Sequence, residues 1–163
     1  MTVEPLELTL GILLRERSLT LATAESCTGG LLGHLITNVS GSSDYYLGGF
    51  VAYANQAKAG LLGVQLETLE QHGAVSRETV LEMARGVRLS FDAHLGISVS
   101  GIAGPGGGTA EKPVGLVWIG LSARRTDRAY EHHFSGDRLS VKEQSAQAAF
   151  QHLIDFLQEP WSS

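Results

Sequence analysis

Leu19-Thr20-Leu21-Ala22-Thr23-Ala24-Glu25-Ser26-Cys27-Thr28-Gly29-Gly30-Leu31-Leu32 reads as a strand that turns into a helix. The apolar run Leu19 to Ala24 suits a short buried strand, and helical spacing resumes at Leu31 and continues to Val39. Between them stand three small polar side chains and two glycines. Such a turn leaves the N–H groups of the first helical turn aimed at whatever lies in front of them, where an anion or a developing oxyanion fits. Ser26, Cys27 and Thr28 also place a nucleophile in the same turn.

Working outward, helices and strands alternate. Leu6, Leu8, Leu10, Leu13 and Leu14 predict a first helix ending near Arg17. Tyr45 to Tyr53 is aromatic and β-branched enough for a strand after the Ser40-Gly41-Ser42-Ser43 turn, and helices are expected over Asn55 to Leu62 and Leu66 to His72, the latter closed by Gly73. Ser76 resembles the N-cap of a helix reaching about His94. Leu95 to Ser100 alternates like a strand and empties into the Gly101 to Gly108 loop. Pro113 to Ala123 and Arg128 to Phe134 form an expected antiparallel pair across a charged turn. The spacing of Ala146, Ala149, Phe150, Leu153, Ile154 and Leu157 gives a last helix one apolar face. The order predicts a single three-layer α/β/α domain with a mixed, mainly parallel sheet and a late antiparallel hairpin.

Composition narrows the function classes. At 163 residues, 43% of them hydrophobic, the chain supports one core and leaves no room for two ordinary domains. Glu4 and Glu7 interrupt the N-terminal apolar residues, and no stretch is long enough for a signal peptide core or a membrane span. One cysteine forms no internal disulfide, which agrees with a cytoplasmic location. A net charge of -5 with scattered basic residues disfavours a nucleic-acid partner, and no membrane partner is expected.

In open α/β sheets ligands bind where strands end and loops diverge, so the Ser26 to Gly30 turn and the Gly101 to Gly108 loop are natural walls of one pocket. Glycines also mark ordinary tight turns, and no P-loop or dinucleotide fingerprint is present. Lys58 follows the second strand and is either a solvated surface charge or, if it faces the pocket, a desolvated amine able to take a serine proton or an ammonium that holds a phosphate. Cys27 is a rival nucleophile or a small buried filler. Glu25 orients a donor or accepts backbone N–H groups. Arg138 reaches an anion, pairs with Asp137, or leaves Asp137 to cap the last helix. His132 and His133 point to opposite faces of a strand and have no acidic pair at ligand spacing, so no metal site is expected.

Several linked motifs together resemble the CinA C-terminal domain family. They are Ala24-Glu25-Ser26-Cys27-Thr28-Gly29-Gly30, Gly41-Ser42-Ser43, Tyr53-Ala54-Asn55-Gln56-Ala57-Lys58, His72-Gly73-Ala74-Val75-Ser76, Ser100-Gly101-Ile102-Ala103-Gly104-Pro105, Lys112-Pro113-Val114-Gly115 and Phe134-Ser135-Gly136-Asp137-Arg138. Their order and spacing fit from about Leu8 to Leu157. The resemblance implies a nicotinamide mononucleotide deamidase of pyridine nucleotide salvage, an amidase that gives nicotinate mononucleotide and ammonia. In other bacteria the same domain stands behind an N-terminal domain of a competence/damage-inducible protein, which is not expected here.

Carried onto this chain, the resemblance implies Ser26 as nucleophile, Lys58 as base, and Tyr53 orienting Lys58 or relaying a proton. The backbone at Thr28, Gly29 and Gly30 would hold the oxyanion, with Ser42, Ser43, Asn55, Gly101, Ala103, Gly104 and Arg138 for nucleotide and phosphate contacts. No metal or organic cofactor is required, and a homodimer is expected. Where a second arginine is expected four places after Gly136-Asp137-Arg138, this chain has Lys142, which keeps the charge but not the bidentate fork. Two rivals stay open: a catalytically silent nucleotide-binding sensor or partner module, and a different small-amide hydrolase using Cys27.

Overall fold

The computed structural model describes residues 3–160. In chain order its elements are α1 (Leu6–Glu16), β1 (Leu21–Glu25), α2 (Leu31–Thr37), β2 (Tyr46–Val51), α3 (Asn55–Leu62), α4 (Leu66–His72), α5 (Arg77–Ser90), β3 (Leu95–Gly101), β4 (Leu116–Ser122), β5 (Asp127–His133) and α6 (Arg138–Gln158), with a short 3-10 turn at Ser42–Asp44. The five strands lie in the order β2-β1-β3-β4-β5. β1 pairs in parallel with β2 and β3, whereas β3 with β4 and β4 with β5 are antiparallel, so β4 alone runs against the other four. The result is the expected mixed sheet between two helical layers.

Side-chain alternation along the strands decides which layer goes where. Leu95, Ile97 and Val99 on β3 and Val117, Ile119 and Leu121 on β4 turn their bulk toward α1, α2 and α6, where Leu10, Leu14, Leu32, Ile36, Phe150 and Leu153 complete the larger core. On the opposite face of the same two strands Gly96, Ser98, Ser100, Gly120 and Ser122 are small, and the bulk of Trp118 is confined to the early part of β4. α5 therefore beds directly on the sheet backbone. A Cβ on Gly96 would stand 2.2 Å from Ala84 O, and one on Gly120 2.2 Å from Val80 O. Ser98 donates to Val80 O at 2.6 Å, and Arg88 Nε donates to Ser122 Oγ at 2.9 Å. Ala22, Ala24, Leu62, Met83 and Val87 close this second core.

Element boundaries differ from expectation where a local contact overrides propensity. β4 starts at Leu116 because residues 113–115 form a turn in which Gly115, at φ 95°, donates its N–H to Ile102 O. α5 stops at Ser90, before Asp92 takes φ 49°, and His94 Nδ1 instead accepts from Thr20 N. α6 begins at Arg138, because Asp137 accepts from Ser140 N at 2.8 Å; of the open readings for Asp137, the cap of the last helix is the one observed. The antiparallel run of α5 against β3 returns its first turn to the strand ends where β1 and β2 also finish. Among the described residues no helix is long and apolar enough to cross a membrane.

Gly120→Val tests the bedding of α5: the added side chain meets the Val80 backbone and the Ser98 hydroxyl that is itself bonded to Val80 O. We expect a loss of about 1–3 kcal/mol and a clear fall in Tm by calorimetry, with no change in an exposed control such as Gly60, whose Cβ direction is open.

Candidate active site

At the C-terminal ends of β1, β2 and β3 a cleft of about 270 Å³ is lined by Ser26, Cys27, Tyr53, Asn55, Lys58, Ala74, Val75, the Ser100 to Gly104 segment, Gly106, Gly107 and Arg138. Three chain segments converge there for identifiable reasons. Ser26 continues β1, its N–H donated to Val99 O at 2.9 Å, which fixes the turn to the neighbouring strand. Ser100 Oγ donates to Ala74 O at 2.8 Å, tying the entry to α5 against the end of β3. Arg138 reaches from the first turn of α6 and donates to Gly104 O at 2.8 Å and to the Tyr53 phenol oxygen at 3.1 Å.

Lys58 is the largest fully buried side chain, at 1% relative exposure. It lies in the first turn of α3, and helical side chains lean toward the helix N-terminus. The amine thus folds back over the end of β2, where Nζ donates to Ala52 O and Tyr53 O, both at 3.0 Å, and stands 2.9 Å from Ser26 Oγ. No carboxylate accepts from it. Burial without a compensating anion favours the neutral amine, so the Lys58 pKa lies below its ordinary 10.5. A neutral amine has two N–H groups and one lone pair. With both N–H groups held by the two carbonyls, the lone pair is left facing the Ser26 hydroxyl.

Glu25 has the other buried charge of the site. Oε1 accepts from Thr28 Oγ1 at 2.6 Å, Gly30 N at 3.2 Å and Leu32 N at 2.9 Å, and Oε2 accepts from Gly33 N at 3.1 Å. The carboxylate therefore satisfies the amides that begin α2, and the two glycines at φ 59° and 106° make the reversal that brings those amides to it. Both open readings for Glu25 are observed, since it accepts backbone N–H groups and holds the Thr28 hydroxyl. This corrects the expectation that the first-turn amides of α2 face a ligand. Gly29 N is likewise committed, to Ser26 O at 3.1 Å.

The other expected site residues divide cleanly. Ser26, Tyr53, Asn55, Lys58, Gly101, Ala103, Gly104 and Arg138 meet around the cleft. Thr28, Gly29 and Gly30 are not among its lining residues, and the Thr28 hydroxyl, Gly29 N and Gly30 N are engaged as described. Ser42 and Ser43 precede β2, at the opposite end of that strand from Tyr53, and do not line the cleft of their own chain. Tyr53 orients Lys58 through its carbonyl, while its ring is 62% exposed and its hydroxyl accepts from Arg138. Cys27 is buried, and burial pushes its thiol up to about 11, which argues against a thiolate nucleophile. Ala74 and Val75 line the cleft as well, outside the expected set, and the His72-Gly73-Ala74-Val75-Ser76 motif is the signal that points to them. Lys142 stands against the back of the nucleophile turn, 3.8 Å from the position a Gly29 Cβ would take. His132 bonds His152, Nε2 to Nε2, at 2.7 Å, away from the cleft. No cluster of three or more metal-binding side chains occurs among the described residues.

A second recess of about 520 Å³, bordered by Ala103, Pro105, Val114, Gly136, Asp137, Arg138 and Leu139, adjoins the first. Ala103 and Arg138 border both. The two acceptors of Arg138 carry no charge, so its guanidinium brings a positive potential to the junction.

The family model for the CinA C-terminal domain matches residues 3–157. A putative competence-damage inducible protein of Moorella thermoacetica is 53% identical over 146 residues, covering 90% of this chain and 35% of that protein. A CinA-like protein of Salinibacter ruber is 52% identical over 146 residues, again covering 90% and 35%. The crystal structure of competence/damage inducible protein CihA from Agrobacterium tumefaciens has a TM-score of 0.92 at 40% identity, over 97% of this chain and 100% of that one. The chain spans about a third of the length of these curated relatives. None of these names states a reaction.

Replacing Lys58 with methionine tests the buried amine. Between its lowered folded-state pKa and 10.5, the unfolded chain binds more protons than the folded one, so stability rises with pH over that window. Denaturant titrations across it are expected to show that rise in the parent and a flatter profile in Lys58→Met, with Lys58→Met the more stable at neutral pH.

Proposed function

This chain belongs to the CinA C-terminal domain family, and we propose that it is a cytoplasmic amidohydrolase that converts nicotinamide mononucleotide and water to nicotinate mononucleotide and ammonia. The observation that carries this reading is Lys58 Nζ, buried, held by two backbone carbonyls and 2.9 Å from Ser26 Oγ. A primary amide is a poor electrophile with a poor leaving group, and an amine poised on a hydroxyl supplies both the base and the acid that its hydrolysis needs.

Ser26 Oγ attacks the carboxamide carbon while its proton passes to Lys58 Nζ. The carbonyl oxygen takes the negative charge, and the amides of Cys27 and Thr28, immediately after the nucleophile, are the proposed donors to it. They replace the Thr28 to Gly30 set, from which Gly29 N and Gly30 N are already spent. Collapse of the tetrahedral species breaks the C–N bond as Lys58 returns the proton to nitrogen, releasing ammonia and leaving an ester on Ser26. Water then attacks the ester carbon, Lys58 takes its proton, and Ser26 regains a hydroxyl as the carboxylate departs.

The rest of the substrate fits the remaining features. Arg138, whose acceptors are neutral, offers the mononucleotide phosphate a cation at the junction of the two recesses. The exposed Tyr53 ring at the mouth offers a face to the cationic pyridinium ring. Asn55 stands beside it for the ribose hydroxyls. Cleft residues include no carboxylate, so a neutral Lys58 also avoids repulsion with the pyridinium.

Purified protein freed of metal is expected to release ammonia from nicotinamide mononucleotide, and Ser26→Ala and Lys58→Ala are each expected to lower kcat at least about 10²-fold. Thiol alkylation is expected to leave turnover intact because Cys27 is buried. Binding of the nucleotide by the folded parent without ammonia release would instead establish the silent sensor. Activity that survives Ser26→Ala and is lost on alkylation would establish the Cys27 hydrolase.

A further inference from the structure

The edge strand β5 meets α6 through its even-numbered residues. Arg128, Tyr130 and His132 pair with Leu121, Ile119 and Val117 of β4 and share their face of the sheet, the one that packs against α6. Arg128 donates to both carboxylate oxygens of Glu159, at 2.6 and 2.8 Å, and its guanidinium lies 5.0 Å over the Phe156 ring. One turn back along the helix, the His152 ring stacks on Tyr130 with centroids 3.7 Å apart. His132 follows on the strand and stacks on Phe134 at 5.0 Å. The odd-numbered Glu131 and His133 point to the other face and bond each other at 3.1 Å.

The two imidazoles converge on one point. His132 Nε2 and His152 Nε2 stand 2.7 Å apart, on side chains that are neither fully buried nor fully exposed. Each ring plane is held within 10° of an aromatic partner's, Phe134 for His132 and Tyr130 for His152. A neutral imidazole has one N–H and one lone pair, so one Nε2 donates to the other here. When the donor ring carries its proton on Nδ1 instead, two lone pairs face the space between the rings. The neighbouring carboxylates are engaged elsewhere: Glu131 accepts from His133, and Asp155 Oδ1 accepts from Gln151 at 2.8 Å. Asp155 nonetheless follows His152 by three residues on α6 and brings a negative charge to that side of the helix.

We propose that His132 and His152 form a binding site for a divalent transition ion of the Zn²⁺ type, chelated by the two Nε2 atoms and completed by water, which clasps the edge strand β5 to α6. Imidazole suits such ions, whereas Mg²⁺ and Ca²⁺ take oxygen ligands. Zn–N bonds of about 2.0–2.1 Å in a tetrahedral array put two ligand nitrogens about 3.3 Å apart. The rings therefore separate by about 0.6 Å from their 2.7 Å spacing, a movement each makes by sliding on its stacked partner. No group of three or more metal-binding side chains occurs among the described residues, so water fills the remaining positions and the ion stays exchangeable. The strand pleat separates His132 from His133, and the partner that His132 does have lies 20 residues on, where only the folded chain brings it. The site shares no residue with the lining of the cleft.

The site stands independently of the amidase reading, because it is read from ion binding and thermal stability rather than from turnover. Calorimetric titration of the untagged, metal-free chain with Zn²⁺ at about pH 7.5, where ordinary imidazoles are neutral, is expected to give one ion per chain, and Mg²⁺ is expected not to bind. His152→Phe keeps a ring to stack on Tyr130 and removes one ligand nitrogen, and His132→Gln removes the other. Each is expected to weaken Zn²⁺ binding by more than about 10-fold, the smaller loss that removing a partner outside the coordination shell produces. Each is also expected to abolish the rise in Tm that an ion bound only by the folded chain confers. The two substitutions lie on separate elements, and circular dichroism without the ion identifies a variant that is folded and can decide the matter. His133→Gln and His72→Gln, which remove histidines that stand beside carboxylates, are expected to change neither readout. A parent that shows no saturable Zn²⁺ binding, binding that survives in a folded His132→Gln or His152→Phe, or binding that is lost with His133 or His72 would overturn the proposal.

Discussion

Everything around the cleft depends on one buried nitrogen. Lys58 has its charge-bearing atom almost wholly buried at the wall of the cleft, 3.0 Å from two carbonyl oxygens and 2.9 Å from the Ser26 hydroxyl. A protonated lysine in such a place costs several kcal/mol unless an anion compensates it, and none accepts from it here. The same environment that makes the ammonium expensive lowers the Lys58 pKa below its ordinary 10.5. Desolvation and two backbone contacts thus set Lys58 apart from an ordinary solvated cation, and the proposed mechanism uses it as a base.

The second constraint is that Ser26 be held where that amine can use it. Glu25 achieves this from the opposite side, gathering Thr28 Oγ1 and the amides of Gly30, Leu32 and Gly33 onto one carboxylate so that the turn after β1 has a single shape. The two buried groups have separate tasks. Glu25 spends its charge on backbone donors at a helix start, and Lys58 is left without a carboxylate partner. Had the two paired with each other, the lysine would remain protonated and the serine would have no base. Behind this arrangement, the small glycine and serine residues of β3 and β4 bring α5 onto the sheet and its leading segment, Ala74 and Val75, into the cleft wall.

Much of this was legible in the sequence, and the reasons are local. The strand-to-turn-to-helix pattern around Ser26 depends on neighbours a few residues away, and the bounds of α3 and α4 match the hydrophobic spacing and the Gly63 and Gly73 stops. Ser26, Lys58 and the Gly101 to Gly104 loop converge because strand ends of a parallel core do so. What could not be read was the partner of each polar group. Lys58 as solvated cation or buried base and Asp137 as ion partner or N-cap are alternatives that only three-dimensional placement separates. Ser42 and Ser43 differ: their place before β2 was legible, and the parallel pairing of β1 with β2 puts that end of the strand away from the cleft. The start of β4 moved for a comparable reason: Gly115 acts through a contact with Ile102 O that periodicity does not register.

The central claim is that Lys58 rests neutral beside Ser26. Heteronuclear NMR of the lysine side-chain nitrogens, assigned by loss of one signal in Lys58→Met, follows its protonation directly as pH is varied. The account predicts a titration clearly below the ordinary 10.5, with Nζ unprotonated at the pH where amide hydrolysis is fastest. A Lys58 signal that titrates at or above 10.5 would mean a permanent ammonium at the site, and the proposed proton transfer from Ser26 would have no base.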